Sequence, residues 1–346
     1  MYDFCMSKID GNIFWNPDKV ISYGCLLNFI LGERGVGKSF SMTKFVIDDF
    51  LRHGNEFVYL RRYKTELDTS VPKFFDAIRN ENVYGDDFEL KVKKSSKMSE
   101  FVVDGRTAGY AVALSTSNIL KSTSFAKVKN IVFDEFIIDK GAYHYLPNEV
   151  EKMLDIIETI GRLRDVRVFF LGNSISLSNP YFNYWNIFVP KDCEYRTFKD
   201  GTILVNYIKN EKYRAVKKQT KFGRLISGTK YGDYSIENQF LRDSDTFIEK
   251  RHEDGINWNV VILYGNKYGV WIGKKSHKIY VESNYDERNR RVYSTDEYNH
   301  DENTLLICAR KDWFKIVAEN YKIGNVRFEN QKCKDDCMKL LRKILI

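Results

Sequence analysis

An α/β fold around a mainly parallel sheet is predicted by three observations. The short apolar run Leu26-Leu27-Asn28-Phe29-Ile30-Leu31 leads into a glycine loop, Gly32-Glu33-Arg34-Gly35-Val36-Gly37-Lys38-Ser39, and Phe40 to Leu51 then carries apolar residues at helical spacing. A second apolar run, Asn130-Ile131-Val132-Phe133, ends in the carboxylates Asp134-Glu135. A third, Val166 to Asn173, follows a stretch of helical spacing from about Glu149 to Ile160. Apolar strands that end in polar residues belong to open α/β sheets, whose ligands sit at the C-terminal strand edge.

The glycine loop names the ligand. G-x-x-x-x-G-K-S is a phosphate-binding pattern, in which Gly32, Gly35 and Gly37 let backbone N–H groups curl around a polyphosphate. Lys38 is placed to reach the β- and γ-phosphates, and the Ser39 hydroxyl to hold Mg²⁺. Arg34 and Phe40 complete the set of candidate nucleotide contacts. The expected cofactors are ATP and Mg²⁺.

The second run supplies the other half of such a site. Asp134 is expected to hold Mg²⁺, and Glu135 to orient and polarise the attacking water. Glu56 to Arg62 reads as a strand after the first helix and Val166 to Asn173 as one after Asp134-Glu135, so at least one other strand separates the glycine-loop strand from the Asp-Glu strand. A glutamate beside the magnesium aspartate, with a polar residue ending the next strand, is the pattern of additional-strand (ASCE) P-loop ATPases, which run motors. Asn173 has two readings of equal weight, a turn-forming residue or a sensor of the γ-phosphate and its water. The polar loop Ser115 to Ser122 contains Lys121, and Arg162 and Arg164 lie between the helix and the Asn173 strand. Taken singly, each arginine reads as a surface or ion-pair residue; only in a ring does either become a candidate finger for a neighbouring subunit's site.

Composition bounds the rest. A chain of 346 residues suggests two domains, and 43% hydrophobic with 15% aromatic residues is enough for full cores. Five prolines and no low-complexity tract argue against long disorder. No apolar run reaches membrane-spanning length, and no signal-peptide pattern opens the sequence. The six cysteines (Cys5, Cys25, Cys193, Cys308, Cys333, Cys337) lack zinc-site spacing and read as reduced thiols.

The net charge is +8. Its sharpest concentration is Lys209 to Lys230, where Glu211 is the sole carboxylate. Lys212, Lys217, Lys218, Lys221 and Arg224 in this stretch are candidate nucleic-acid contacts.

The C-terminal third changes character. Trp258 to Tyr264, Lys267 to Ile272 and Lys278 to Glu282 read as antiparallel strands, joined at Gly265-Asn266 and at Lys274 to His277. Thr304 to Ile307 and Asn325 to Phe328 read as later strands, and Asp335 to Ile344 as a closing helix. This order suits an RNase H-like α+β domain, a fold used by two-metal nucleases. A two-metal nuclease needs an acid in the first strand. Trp258 to Tyr264 has none, so a vestigial nuclease is expected, with Asp335 and Asp336 as exposed helix acids. The expected domains are an ATPase domain at 1–205, a basic linker or lid at 206–244 and the RNase H-like domain at 245–346.

Taken together, these segments resemble the DNA-packaging ATPases of phi29-like tailed phages. The resemblance rests on Phe14-Trp15-Asn16-Pro17-Asp18-Lys19, the arginine-bearing glycine loop, and Tyr59 to Leu67. It continues through Ile131 to Phe136, Pro147-Asn148-Glu149-Val150, Asn179-Pro180-Tyr181-Phe182, Lys221 to Ile226, Phe247 to Arg251 and Gly269-Val270-Trp271. It implies a homopentameric ring motor on the portal of a procapsid, driving double-stranded genomic DNA inward with ATP. It implies further that Lys38 and Ser39 bind phosphate and Mg²⁺, Asp134 the metal and Glu135 the water. Arg162 falls where the family places its trans-acting finger, with Arg164 still open, and Lys121 aligns with a second basic residue acting across the subunit interface. The family packages unit-length genomes, which fits a domain without nuclease activity. A structural packaging RNA joins motor to portal in the family's namesake and is a candidate partner. The implied location is the host cytoplasm, transiently at the portal vertex and not in the mature virion. The alternative is another ring P-loop ATPase, such as a helicase.

Overall fold

The computed structural model describes residues 13–94, 98–117, 125–138, 144–174, 179–185, 187, 189, 193–236, 247–295, 297–306 and 312–345. They fall into two compact units, 1–241 and 242–346.

In the first unit, α1 (Asp18–Ser22) and β1 (Leu27–Gly32) precede the glycine loop, and α2 (Lys38–His53) leaves it. Then come β2 (Glu56–Arg61), α3 (Lys64–Ser70), α4 (Asp76–Asn80), β3 (Leu90–Lys93), β4 (Ser99–Val103), β5 (Arg106–Ala113) and β6 (Val128–Asp134). They are followed by α5 (Glu149–Gly161), β7 (Arg167–Asn173), α6 (Pro180–Trp185), β8 (Tyr195–Phe198) and β9 (Ile203–Tyr207). The sheet order is β3-β4-β5-β2-β6-β7-β1-β9-β8. The strands from β5 to β9 pair in parallel, and antiparallel strands close both edges. Thus β7, ending in Asn173, separates the glycine-loop strand from the strand ending in Asp134.

The central strands are buried on both faces, which explains why they read as unbroken apolar runs. Phe29 and Leu31, Ile131 and Phe133, and Val168 and Phe170 face one apolar layer, with Met153, Ile156 and Ile160 of α5. The alternate residues Ile30, Val132, Phe169 and Leu171 face the other, with Met42, Val46, Ile47 and Phe50 of α2. Phe29 and Phe170 stack across β1 and β7 with centroids 4.4 Å apart. Cores on both faces fix the register and bring the ends of β1, β7 and β6 side by side.

The basic stretch forms α7 (Glu211–Gln219), α8 (Lys221–Ile226) and α9 (Lys230–Ser235), within the first unit. Asn210 and Thr220 cap the first two of these helices by accepting from Tyr213 N and Gly223 N.

The second unit holds β10 (Gly255–Leu263), β11 (Asn266–Gly273), β12 (Ile279–Glu282), β13 (Val292–Ser294), β14 (Leu305–Leu306), α10 (Asp312–Lys322), β15 (Val326–Phe328) and α11 (Gln331–Leu345). Its sheet order is β14-β13-β10-β11-β12-β15. Strands β10, β11 and β12 run antiparallel, while β13 lies parallel to β10 and β14 parallel to β13. The first hairpin turns at Tyr264-Gly265, both with positive φ, and Asn266 pairs with Leu263. The turn therefore sits one residue earlier than the expected Gly265-Asn266.

Asp336 departs from the expectation of an exposed acid. It is 1% exposed and accepts a hydrogen bond from the buried Tyr268 hydroxyl at 2.9 Å. Cys333, Cys337 and Leu341 bring that face of α11 onto the sheet, and a buried phenol needs an acceptor there. Among the described residues no helix is long and apolar enough to cross a membrane.

Candidate functional site

The glycine loop runs from the end of β1 into α2. Gly35 and Gly37 adopt left-handed backbone, φ +88° and +95°. A Cβ on Gly35 would meet the Tyr213 hydroxyl at 2.6 Å, and one on Gly37 would meet Phe14 Cβ at 3.2 Å. Glycine is thus required here by conformation and by space. The N-terminal segment straps the loop: Trp15 N donates to Val36 O at 3.0 Å, and Ser41 Oγ to Trp15 O at 2.7 Å. The Trp15 indole N–H reaches Asn206 Oδ1 on β9 at 3.0 Å.

Lys38 is 7% exposed. Its ammonium donates to Gly32 O and Glu33 O, both at 2.9 Å, and to Asn173 Oδ1 at 3.1 Å. Burial pushes its pKa down to about 8, helped by the charge of Lys217 and opposed by Glu33 and Asp134. Asn173 therefore meets the lysine of the loop directly.

Ser39 Oγ lies 3.2 Å from each carboxylate oxygen of Asp134. Burial raises the Asp134 carboxyl, and Arg61 is the foremost influence holding it down. A hydroxyl and a carboxylate converging from two elements are hard oxygen donors, the type that suits Mg²⁺ completed by water and phosphate oxygens. Tyr59 adds a phenol 3.4 Å from Asp134 Oδ2, and burial followed by that carboxylate pushes its pKa up. Glu135 has left-handed backbone, φ +59°, and its side chain is 60% exposed at the sheet edge. Uncommon backbone of this kind at a charged residue is a feature of functional sites.

Several participants have no motif to announce them. Arg61, at the end of β2, reaches Glu135 at 2.6 Å, Glu66 at 3.4 Å and Asp134 at 3.8 Å. Next to it, Arg62 makes a buried two-point ion pair with Glu149, at 2.8 and 2.9 Å. Arg62 also donates to Glu135 O and Phe136 O, so it pins the chain just after Asp134. Tyr59 to Leu67 and Pro147 to Val150 stood out only through the family resemblance. The signal that finds them without it is arginine at the end of an otherwise apolar strand, where burial demands a carboxylate partner.

The remaining candidates divide. Arg34 is exposed, and Phe40 is half-buried against the apolar layer beneath α2. Lys121 lies outside the described residues. Arg164 donates to the carbonyls of Val128, Phe125 and Ile160 at 3.0, 2.8 and 2.5 Å, closing the C-terminus of α5. Arg162 is exposed at that helix end with φ +52°, and its side chain has no hydrogen bond or ion pair among the described residues. Lys212, Lys218, Lys221 and Arg224 are exposed. Lys217 is not presented to solvent in the same way: its ammonium is held by Arg34 O at 2.9 Å and Ser235 O at 2.6 Å. Burial brings it to the glycine loop, and the hydrogen bonds keep it there.

With this geometry in place, likeness to known proteins becomes specific. The family model for the podovirus DNA encapsidation protein (Gp16) matches residues 9–346. The chain belongs to that family. The DNA packaging protein of Bacillus phage phi29 is 36% identical over 343 residues, covering 98% of this chain and all of that protein. The DNA packaging protein of Bacillus phage B103 is 33% identical over 330 residues, covering 94% of this chain and all of that protein. Among solved structures, the bacteriophage phi29 viral genome packaging motor assembly aligns with a TM-score of 0.78 at 35% identity, covering 96% of this chain and 99% of that one. The N-terminal domain of the phi29 DNA packaging ATPase aligns with a TM-score of 0.52 at 38% identity, covering 57% of this chain and 98% of that one. In this member of the encapsidation family, the residues that meet at the sheet edge are Lys38, Ser39, Asp134 and Asn173, with Glu135 beside them.

Proposed function

We propose that this chain is an ATP-driven motor that moves double-stranded viral genomic DNA into a procapsid. It would act as a homopentameric ring on the portal, in the host cytoplasm, and would be absent from the mature virion. One observation carries the reading: in a DNA encapsidation family member, Lys38, Ser39, Asp134, Glu135 and Asn173 come together at the ends of β1, β7 and β6.

In the proposed reaction, Ser39 and Asp134 would hold Mg²⁺, which would supply charge stabilisation for the phosphoryl oxygens. Lys38 exchanges its carbonyl partners for phosphate oxygens. Asn173, already on Lys38, lies where the γ-phosphate end is sensed. Glu135 orients and polarises the attacking water. Arg162 acts as the finger for a neighbouring subunit, because it is exposed and free of internal partners among the described residues while Arg164 is committed to three carbonyls of its own chain. Lys212, Lys218, Lys221 and Arg224 are the proposed contacts to DNA phosphates, which makes binding salt-sensitive and largely independent of sequence.

For the second unit we propose a vestigial RNase H-like domain without nuclease activity, for nucleic-acid or portal binding. The antiparallel β12-β11-β10 order, extended by parallel β13 and β14, supports the fold. The absence of any Asp or Glu from Gly255–Leu263 supports the loss of cutting. A helicase reading has only the shared phosphate loop in its favour.

The deciding assay is ATP-dependent protection of genomic DNA from nuclease, using purified procapsids and the full chain. Protection that disappears with Glu135→Gln, while nucleotide binding persists, is the expected result. Equal hydrolysis by wild type and Glu135→Gln would remove Glu135 from its role. A packaging RNA is tested in the same assay by omitting it from the procapsids.

A further inference from the structure

Helix α7 brings side chains onto the phosphate loop from far along the chain. Arg214 Nε donates to Glu33 Oε1 at 2.5 Å, across a separation of 181 residues. Glu33 is fully buried, and its second oxygen has no partner among the described residues. Tyr213 Oη and Lys217 Nζ both donate to Arg34 O, at 3.2 and 2.9 Å.

A buried carboxylate in the loop that cradles a triphosphate is electrostatically adverse. In low dielectric its repulsion of a polyanion is weakly screened. Lys38 does not neutralise it by contact, because that ammonium bonds the Glu33 carbonyl rather than its carboxylate. The ion-pair partner of the Glu33 side chain among the described residues is Arg214. Buried ion pairs add little net stability over apolar packing, so stability alone is a weak reason for one here.

We propose that Arg214 is a charge-neutralising and positioning residue of the nucleotide site, cancelling Glu33 while Tyr213 and Lys217 fix the loop backbone through a carbonyl. The inference rests on the reading of this loop as the ATP site. It makes the inner face of α7 part of that site, whereas Lys212 on the same helix is exposed.

A charge cycle tests it. Binding of a fluorescent ATP analogue, together with KM and kcat for ATP, is measured on the full chain for wild type, Arg214→Gln, Arg214→Lys, Glu33→Gln and the Glu33→Gln/Arg214→Gln pair. Arg214→Gln should weaken binding by about 5- to 100-fold, chiefly in KM. Arg214→Lys should recover part of that loss, and the double variant most of it, because both charges are gone. Glu33→Gln should bind at least as tightly as wild type. Wild-type affinity in Arg214→Gln would overturn the proposal. So would a folded double variant as weak as Arg214→Gln. If Arg214→Gln does not fold, the Glu33→Gln result decides, and weaker binding than wild type overturns the proposal. Failure of wild type itself to bind the analogue would instead sink the ATP-site reading.

Discussion

Arg61 Nη2 lies 2.6 Å from Glu135 Oε2, and the same guanidinium reaches Asp134 at 3.8 Å and Glu66 at 3.4 Å. One cation from β2 thus holds together the carboxylates at the end of β6 and the first turn of α3. Removing it leaves Asp134, already raised by burial, with less to favour its charged form. Arg61→Met should lower stability by about 2–3 kcal/mol, below the cost for a fully buried pair because Glu135 is exposed to solvent. Adding Glu66→Gln should return part of the loss. Urea unfolding monitored by tryptophan fluorescence reads both effects, and an unchanged midpoint for Arg61→Met would refute the bridging role.

Arg62 and Glu149 form the more deeply buried pair, 2% and 0% exposed. Glu149 also accepts from Tyr181 Oη at 3.0 Å and Leu146 N at 2.8 Å, so β2, α5 and α6 meet on one carboxylate. Arg62→Met or Glu149→Leu alone strands a buried charge and should cost about 3–5 kcal/mol. Together they should cost less than their sum, because neither charge is then left unpaired. Thermal melts of the three variants provide the cycle, and strict additivity would show that the pair is not coupled.

These pairs mark the limit of what the sequence makes legible. The glycine loop and the Asp134-Glu135 strand are local patterns, in which fixed spacing and an apolar run suffice. Separation of β1 from β6 is legible too, because a third apolar run follows the helix at Glu149 to Ile160. Helix α10 is not among the elements expected from sequence, although Trp313, Phe314, Val317, Ala318 and Tyr321 carry the spacing of a buried face. The contacts Arg61–Glu135, Arg62–Glu149 and Arg214–Glu33 span 74, 87 and 181 residues, and no local rule chooses which carboxylate an arginine meets. The basic stretch shows the same limit from the other side. Composition marks Lys217 and Lys218 as equivalent, yet one helical step points Lys217 onto Arg34 O and leaves Lys218 exposed.

Lys38 gives a pH prediction. Its folded pKa is lowered to about 8 from 10.5, so between those values the unfolded chain binds more protons and this group makes stability rise with pH. Nucleotide binding runs the other way. A triphosphate favours the charged ammonium, so above about pH 8 binding must take up a proton and affinity should fall, by at most about tenfold per pH unit. Titrating the ATP analogue between about pH 7 and about pH 9.5 tests this, with Lys38→Arg expected to stay flat because arginine remains charged. A flat wild-type profile would contradict the lowered pKa.

Arg162 and Arg164 should separate cleanly. Arg164→Ala removes donors from the carbonyls of Val128, Phe125 and Ile160, which predicts a stability loss of about 1–3 kcal/mol. Arg162→Ala removes no side-chain hydrogen bond or ion pair among the described residues and keeps its positive-φ backbone cost, so stability should change by less than about 0.5 kcal/mol. Hydrolysis should respond in reverse order. Arg162→Ala rings should be inactive with ATP still bound, while Arg164→Ala retains turnover wherever it is folded. Mixing Arg162→Ala with Glu135→Gln subunits provides the direct test of a trans role. Neither variant turns over alone, yet a mixed ring places an intact Glu135 beside a neighbour's intact Arg162, and activity should return. Assembled mixed rings that stay inactive would assign Arg162 to its own subunit's site.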